Sequence, residues 1–273
     1  MGAYSNMVST SFLDESPQKI LESVHANFQL PAILSEKPCQ EASGYFWAGE
    51  KRRNDGQLES HVTDFKFLIK QTAGSSQRHP GDLDKFQTSY IWEKLRFSTC
   101  WSSSGTSVLL CYDIGQKMQA RMRHSLMGSG SGLHRDYSFS PHTFVALHVV
   151  ECFDEAVWAW RGRVRELEIE RQRQVLHSSH ESRNMHETTR HLIHCSEMLV
   201  TAMSTIQQMG KKAVAFPVFN HSTDNSTIQN DLDFHTSLLM SYLNRSKALE
   251  ARMQNEISLV RLPVAVLMHG RVV

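Results

Sequence analysis

The chain has 273 residues, with 29 Lys and Arg against 28 Asp and Glu, a formal charge of +1 at pH 7. Hydrophobic residues make up 40% and charged residues 21%, with only 14 Gly and 7 Pro, which excludes collagen-like and low-complexity chains and fits one or two globular domains. The balanced charge excludes a strongly basic nucleic-acid binder, and no apolar run approaches the ~20 residues of a membrane-spanning helix.

The first ten residues are polar, without a basic segment leading into an apolar one, so no secretory or transit signal is visible and the expected location is cytoplasmic. Ser16-Pro17 followed by Ile20, Leu21, Val24 and Phe28 predicts a short capped helix that Pro31 ends. From 44 to 113 the pattern turns to aromatic and β-branched clusters, at Tyr45-Phe46-Trp47, Phe65 to Ile69, Tyr90 to Trp101 and Thr106 to Asp113, which read as strands. The sharpest pair is Phe97-Ser-Thr-Cys-Trp101 and Ser107-Val-Leu-Leu-Cys-Tyr112, joined by Ser102-Ser-Ser-Gly105 as a hairpin. Gly128-Ser-Gly-Ser-Gly132 is a flexible loop that closes a strand-rich portion, 1–135.

Long helices follow over 136–260. Ser140-Pro141 is a second cap-plus-proline start, and Leu147, Val150, Phe153, Val157, Trp160, Val164 and Leu167 recur at three- and four-residue steps. The alternating charges of 161–173 read as a solvated face. Met185, Leu192, Leu199 and Ile206 stand seven apart, with Cys195, Ala202 and Met209 three residues after the last three, a heptad seam interrupted at Thr188. Gly210-Lys-Lys212 is read as its C-terminal stop and 213–230 as a loop. A third helix over 231–260 buries Leu232, Leu239, Leu243, Leu249, Met253, Ile257 and Val260. The fold class is therefore α+β, an N-terminal mixed β-sheet with flanking helices followed by long helices in an antiparallel bundle or stalk, whose seam predicts a homo-oligomer.

Chemistry is sparse. The five cysteines, Cys39, Cys100, Cys111, Cys152 and Cys195, are odd in number and form no C-x-x-C pair, which fits reduced thiols better than disulfides or zinc. Of fifteen histidines, His177, His180, His186, His191 and His194 cluster together, and Glu187, His191 and His194 fall at i, i+4 and i+7 of one helical face, a spacing able to ligate a metal. Against that reading stands a plain polar flank of the seam. His186-Glu-Thr-Thr-Arg190 fails the H-E-x-x-H pattern, because Arg190 holds the second ligand position. No nucleophile elbow and no phosphate loop occur, so no catalytic residue and no firm cofactor is assigned. Trp92, Trp101, Trp158 and Trp160 are weighed as pocket lining and read as core.

Four stretches carry a resemblance: Trp92-Glu-Lys-Leu-Arg-Phe-Ser-Thr-Cys-Trp101 with Val108-Leu-Leu-Cys-Tyr-Asp113; Glu155-Ala-Val-Trp158 with Arg161 and Arg165; Arg190-His-Leu-Ile-His-Cys-Ser-Glu-Met-Leu199; and Asn244-Arg-Ser-Lys-Ala-Leu-Glu-Ala-Arg-Met-Gln-Asn-Glu-Ile257. Together they resemble the fungal CorA-like proteins, distant relatives of the CorA-type magnesium transporters. The resemblance implies a cytosolic α/β domain leading into a stalk helix, Mg2+ as the associated ion, membrane attachment where a transmembrane pair follows, and no enzyme. The pore motif Gly-Met-Asn is not in this sequence. Pro263 within 261–273 is expected to break the stalk helix, marking an atypical, truncated tail. The expected function is that of the soluble portion of such a transporter, lacking the pore; the alternative is a soluble helical interaction or scaffold module.

Overall fold

The computed structural model describes residues 7–9, 26, 28, 30–72, 90–104, 106–112, 114–127, 138–173, 179–216 and 225–269. The helix expected over 16–28, save Ala26 and Phe28, and the glycine loop over 128–132 lie outside them. In chain order the elements are β1 (Met7–Ser9), a 3-10 turn (Ala32–Ser35), α1 (Lys37–Glu41), β2 (Gly44–Arg52), β3 (Leu58–Thr72), β4 (Tyr90–Ser102), β5 (Ser107–Tyr112), α2 (Gln116–Met127), α3 (Ser140–Arg173), α4 (Ser179–Ala215) and α5 (Asn225–His269).

The strands form one mixed sheet in the order β1-β5-β4-β3-β2, with β1 parallel to β5 and the pairs β2/β3 and β4/β5 antiparallel. The expected hairpin closes in register, Phe97 opposite Cys111 and Trp101 opposite Ser107. A second hairpin turns at Asn54-Asp55-Gly56. Gly56 adopts φ 82°, and the Gln57 amide donates to Asp55 Oδ1 at 2.9 Å, an Asx turn that only a residue at ease with positive φ completes.

β3 shows why this sheet carries polar groups inward. Phe65, Phe67 and Ile69 alternate with Asp64, Lys66 and Lys70, and all six are buried. Period-2 alternation sends the two sets to opposite faces, so a polar face is covered as well as an apolar one. On β4 the same alternation puts Tyr90, Trp92, Arg96 and Ser98 on one face, opposite Leu95 and Phe97.

Two compact units divide the chain, one from Met1–Leu68, Glu93–Glu151 and Thr201–Leu239, the other from Ile69–Trp92, Cys152–Val200 and Met240–Val273. In the first, Phe65 stacks on Phe97 with ring centroids 5.5 Å apart, and Phe139 meets Phe216 edge-on at 5.6 Å. In the second, Phe153, Val157, Trp160, Val164 and Leu167 of α3, Leu192, Cys195 and Leu199 of α4, and Leu249, Met253 and Ile257 of α5 are buried. Each large aliphatic side chain so buried contributes roughly 1.5–3 kcal/mol.

Several sequence expectations change. The heptad residues are all buried, as is Thr188, whose hydroxyl has no partner among the described residues. Gly210 does not stop α4, which runs on to Ala215. A Cβ there would stand 2.7 Å from Gln229 Oε1 of α5, so the hydrogen side chain leaves room for the end of that flexible amide. α5 begins at Asn225, inside the expected loop, and its helical assignment passes Pro263 to His269. A proline removes its own hydrogen bond and can kink a helix without ending it. α2 was not foreseen; Met118 and Met122, both buried and four apart, form its inward stripe. Trp101 and Trp160 are core, whereas Trp92 and Trp158 are 38% and 43% exposed.

Candidate functional site

In the second unit, the end of β3 places Lys70 against the start of β4 and the middle of α4. Lys70 is 2% exposed. Its ammonium donates to His194 Nδ1 at 2.8 Å and lies 4.1 Å from the centre of the Tyr90 ring and 4.6 Å from that of Trp92. Its carbonyl accepts the Trp160 indole N–H at 3.0 Å, which ties α3 to the strand at this residue. His191, one turn before His194, lies between Tyr90 at 4.6 Å and Trp160 at 5.1 Å. Its Nδ1 is buried without a partner among the described residues.

No carboxylate pairs with Lys70 among the described residues. Two aromatic rings and one imidazole nitrogen surround the ammonium, so cation–π attraction stands where a counter-ion would be. Burial, then the Arg190 charge, pushes the Lys70 pKa below its ordinary value. Burial, reinforced by Lys70, holds His191 down to about 4 and lowers His194 in the same sense. The imidazoles are thus neutral at pH 7, and His194 presents a bare Nδ1 as acceptor.

Of the three residues proposed as metal ligands, His191 and His194 reach this cluster, but Glu187 pairs instead with Arg190 at 3.4 Å. Among the described residues no three His, Cys, Asp or Glu side chains converge on one point. The Lys70 ammonium faces His194 Nδ1, and a metal held there would require that ammonium to withdraw. Lys70 and Tyr90 escaped the sequence reading. Lys70 follows Phe67-Leu68-Ile69 at the polar end of its strand, and no local spacing announces a partner on a helix more than a hundred residues away.

The first unit carries a different polar centre. Asp64, fully buried, accepts from Arg96 Nε at 3.1 Å and Nη2 at 3.2 Å, from Ser98 at 2.5 Å and from Tyr45 at 2.5 Å. Burial, aided by the Asp64 charge, drives the Tyr45 phenol far above its usual range. Nearby, Thr63 Oγ1 bonds Thr99 Oγ1 at 2.6 Å and His142 Nε2 at 2.8 Å. His61 has no polar partner among the described residues and lies 5.1 Å from the Phe139 ring and 4.5 Å from Phe216. Burial lowers His61 to about 4 and His142 to about 3. The cysteine thiols are free, and burial pushes Cys111 up to about 12 and Cys195 to about 11.

Comparison of the whole architecture decides what the fold is. The chain is similar to the soluble domain of CorA from Methanocaldococcus jannaschii, with a TM-score of 0.51 and 7% identity over 89% of this chain and 83% of that one. The chain has a CorA-like fold. It is also similar to the complete CorA magnesium transporter of the same organism, at TM-score 0.50 and 10% identity over 96% of this chain and 71% of that one. A third similarity is to the full-length CmaX protein, at TM-score 0.50 and 13% identity over 91% of this chain and 67% of that one. No family model matches the sequence, and no curated protein does. Among the described residues no helix is long and apolar enough to cross a membrane.

Proposed function

We propose that this chain is the cytosolic portion of a CorA-like magnesium-transport protein of the fungal type, acting without a pore in the stretch described, and that its role is to associate with copies of itself in response to Mg2+. The supporting observation is the CorA-like fold, matched over nearly the whole chain. Mg2+ takes oxygen ligands in octahedral geometry, retains several waters and needs only one or two protein carboxylates. An ion shared between copies therefore needs no acidic cluster within one chain. The role proposed is non-catalytic, in keeping with transporter domains as the structures it resembles.

Limited proteolysis of the purified chain tests the reading. Millimolar Mg2+ is expected to slow cleavage, with chelator restoring it; identical cleavage in both would overturn the proposal. A scaffold role without ion sensing is the second reading, favoured by large apolar side chains exposed on the long helices, Ile193 at 41% and Val200 at 51% on α4 and Phe234 at 62% on α5. Ile193 and Val200 stand seven apart, so they share one outward stripe of α4. Self-association indifferent to Mg2+ is what that reading expects.

A further inference from the structure

Two of the sequence stretches that carried the family resemblance meet in the second unit, and the proposed function uses neither. Trp158 and Arg161 come from α3, Arg245 from α5. The Arg245 guanidinium carbon lies 4.3 Å from the centre of the Trp158 ring system and that of Arg161 lies 5.0 Å from it. Both guanidiniums are therefore held on one indole, no farther apart than those two distances combined. Trp158 is fixed in turn, since its N–H donates to Asp154 Oδ1 at 2.9 Å. Burial, reinforced by the charge of the same carboxylate, raises the pKa of Tyr242 on α5. Asp154 is thus hydrogen bonded to the indole and keeps its charge.

Charge pairing on these helices sets the cluster apart. Arg163 pairs with Glu166, Arg171 with Glu256 and Arg252 with Glu168. Arg161 and Arg245 have no carboxylate partner among the described residues, and neither has Arg165, exposed one turn beyond Arg161. Stacking against an indole fixes the guanidinium plane and removes much of the rotamer entropy that anchoring a free arginine costs, while the N–H edges stay open. Such edges match the oxygens of phosphoryl groups in bidentate fashion. The two guanidiniums carry two unit charges, offset in part by the Asp154 carboxylate on the same indole, and the oxygens of a phosphoryl anion complement the positive excess that remains.

We propose that Arg161 and Arg245, stacked on Trp158, form a binding site for a phosphoryl group, supplied either by a soluble phosphate compound or by a phosphate-monoester lipid headgroup. The full chain is titrated with inorganic phosphate at low ionic strength by calorimetry, and separately co-sedimented with phosphatidylcholine vesicles with and without phosphatidic acid. Saturable binding to phosphate, to the phosphatidic acid vesicles or to both is expected, weakening as salt screens it. Uptake of soluble phosphate alone assigns the first source. Vesicle binding that soluble phosphate displaces only weakly assigns the second. The double variant Arg161→Gln/Arg245→Gln is expected to lose about tenfold or more in affinity at an unchanged melting temperature. Arg245→Lys, which keeps the charge and loses the fork, is expected to weaken binding several-fold, whereas Arg52→Gln in the other unit leaves it unchanged. The proposal is overturned if the wild type takes up neither probe, or if the double variant or Arg245→Lys binds as the wild type does.

Discussion

Asp64 and Lys70 lie on the same face of β3 and both are buried, yet their surroundings are opposite. Asp64 is saturated by Arg96, Ser98 and Tyr45, a closed ion pair with its hydrogen bonds in place. Lys70 has ring faces and one neutral imidazole and, among the described residues, no anion. A buried charge whose partner is removed costs several kcal/mol, whereas one that never had a partner can be replaced by an apolar group at little cost. The first centre is therefore expected to depend on its partners, and the second to tolerate an apolar replacement.

Mutation can break that contrast. Asp64→Ala leaves Arg96 buried without its carboxylate and is expected to destabilise by roughly 3–5 kcal/mol in denaturant titrations. A loss under about 1 kcal/mol would mean that the Asp64 network is not what holds the first unit. Next in size is a pH effect at His61. Its folded pKa is depressed from 6.5 to about 4, so above pH 6.5 both states are neutral and it contributes nothing. As pH falls below 6.5 the unfolded chain takes up a proton that the native state refuses, and stability drops until about pH 4, by about 3 kcal/mol in total. His142 acts in the same direction down to about pH 3. His61→Phe, placed between Phe139 and Phe216, is expected to flatten part of the slope between pH 6.5 and 4; an unchanged slope would remove His61 as its source. Gly56→Ala forces a side chain into φ 82° and is expected to cost about 1 kcal/mol. Smallest is Lys70→Met, expected within about 1 kcal/mol of the wild type and of either sign, with the tryptophan fluorescence altered at Trp92. A large loss on Lys70→Met would make the two centres alike.

What was legible in the sequence follows how local the signal was. The β4/β5 hairpin, the start of α3 at Ser140-Pro141 and the inward residues of α4 and α5 rest on spacing within one element, and the structure keeps them. Gly210 misleads because a glycine beside basic residues signals a helix end, whereas α4 runs on through it to Ala215. The Asn54-Asp55-Gly56 turn carried a local signal that went unread. The polar face of β3 was illegible for a deeper reason: Asp64, Lys66 and Lys70 alternate like a solvated strand face, and only tertiary partners reveal that the face is covered. His194 meets the Lys70 ammonium and His191 the neighbouring Tyr90 and Trp160 rings, partners that helical spacing within α4 could not anticipate.

Sedimentation velocity of the full chain, with millimolar Mg2+ and with chelator, tests the central claim most directly. The account predicts a larger assembly in Mg2+ that reverts when the ion is withdrawn. A chain that stays monomeric at high concentration in both, or that assembles equally in both, would contradict it.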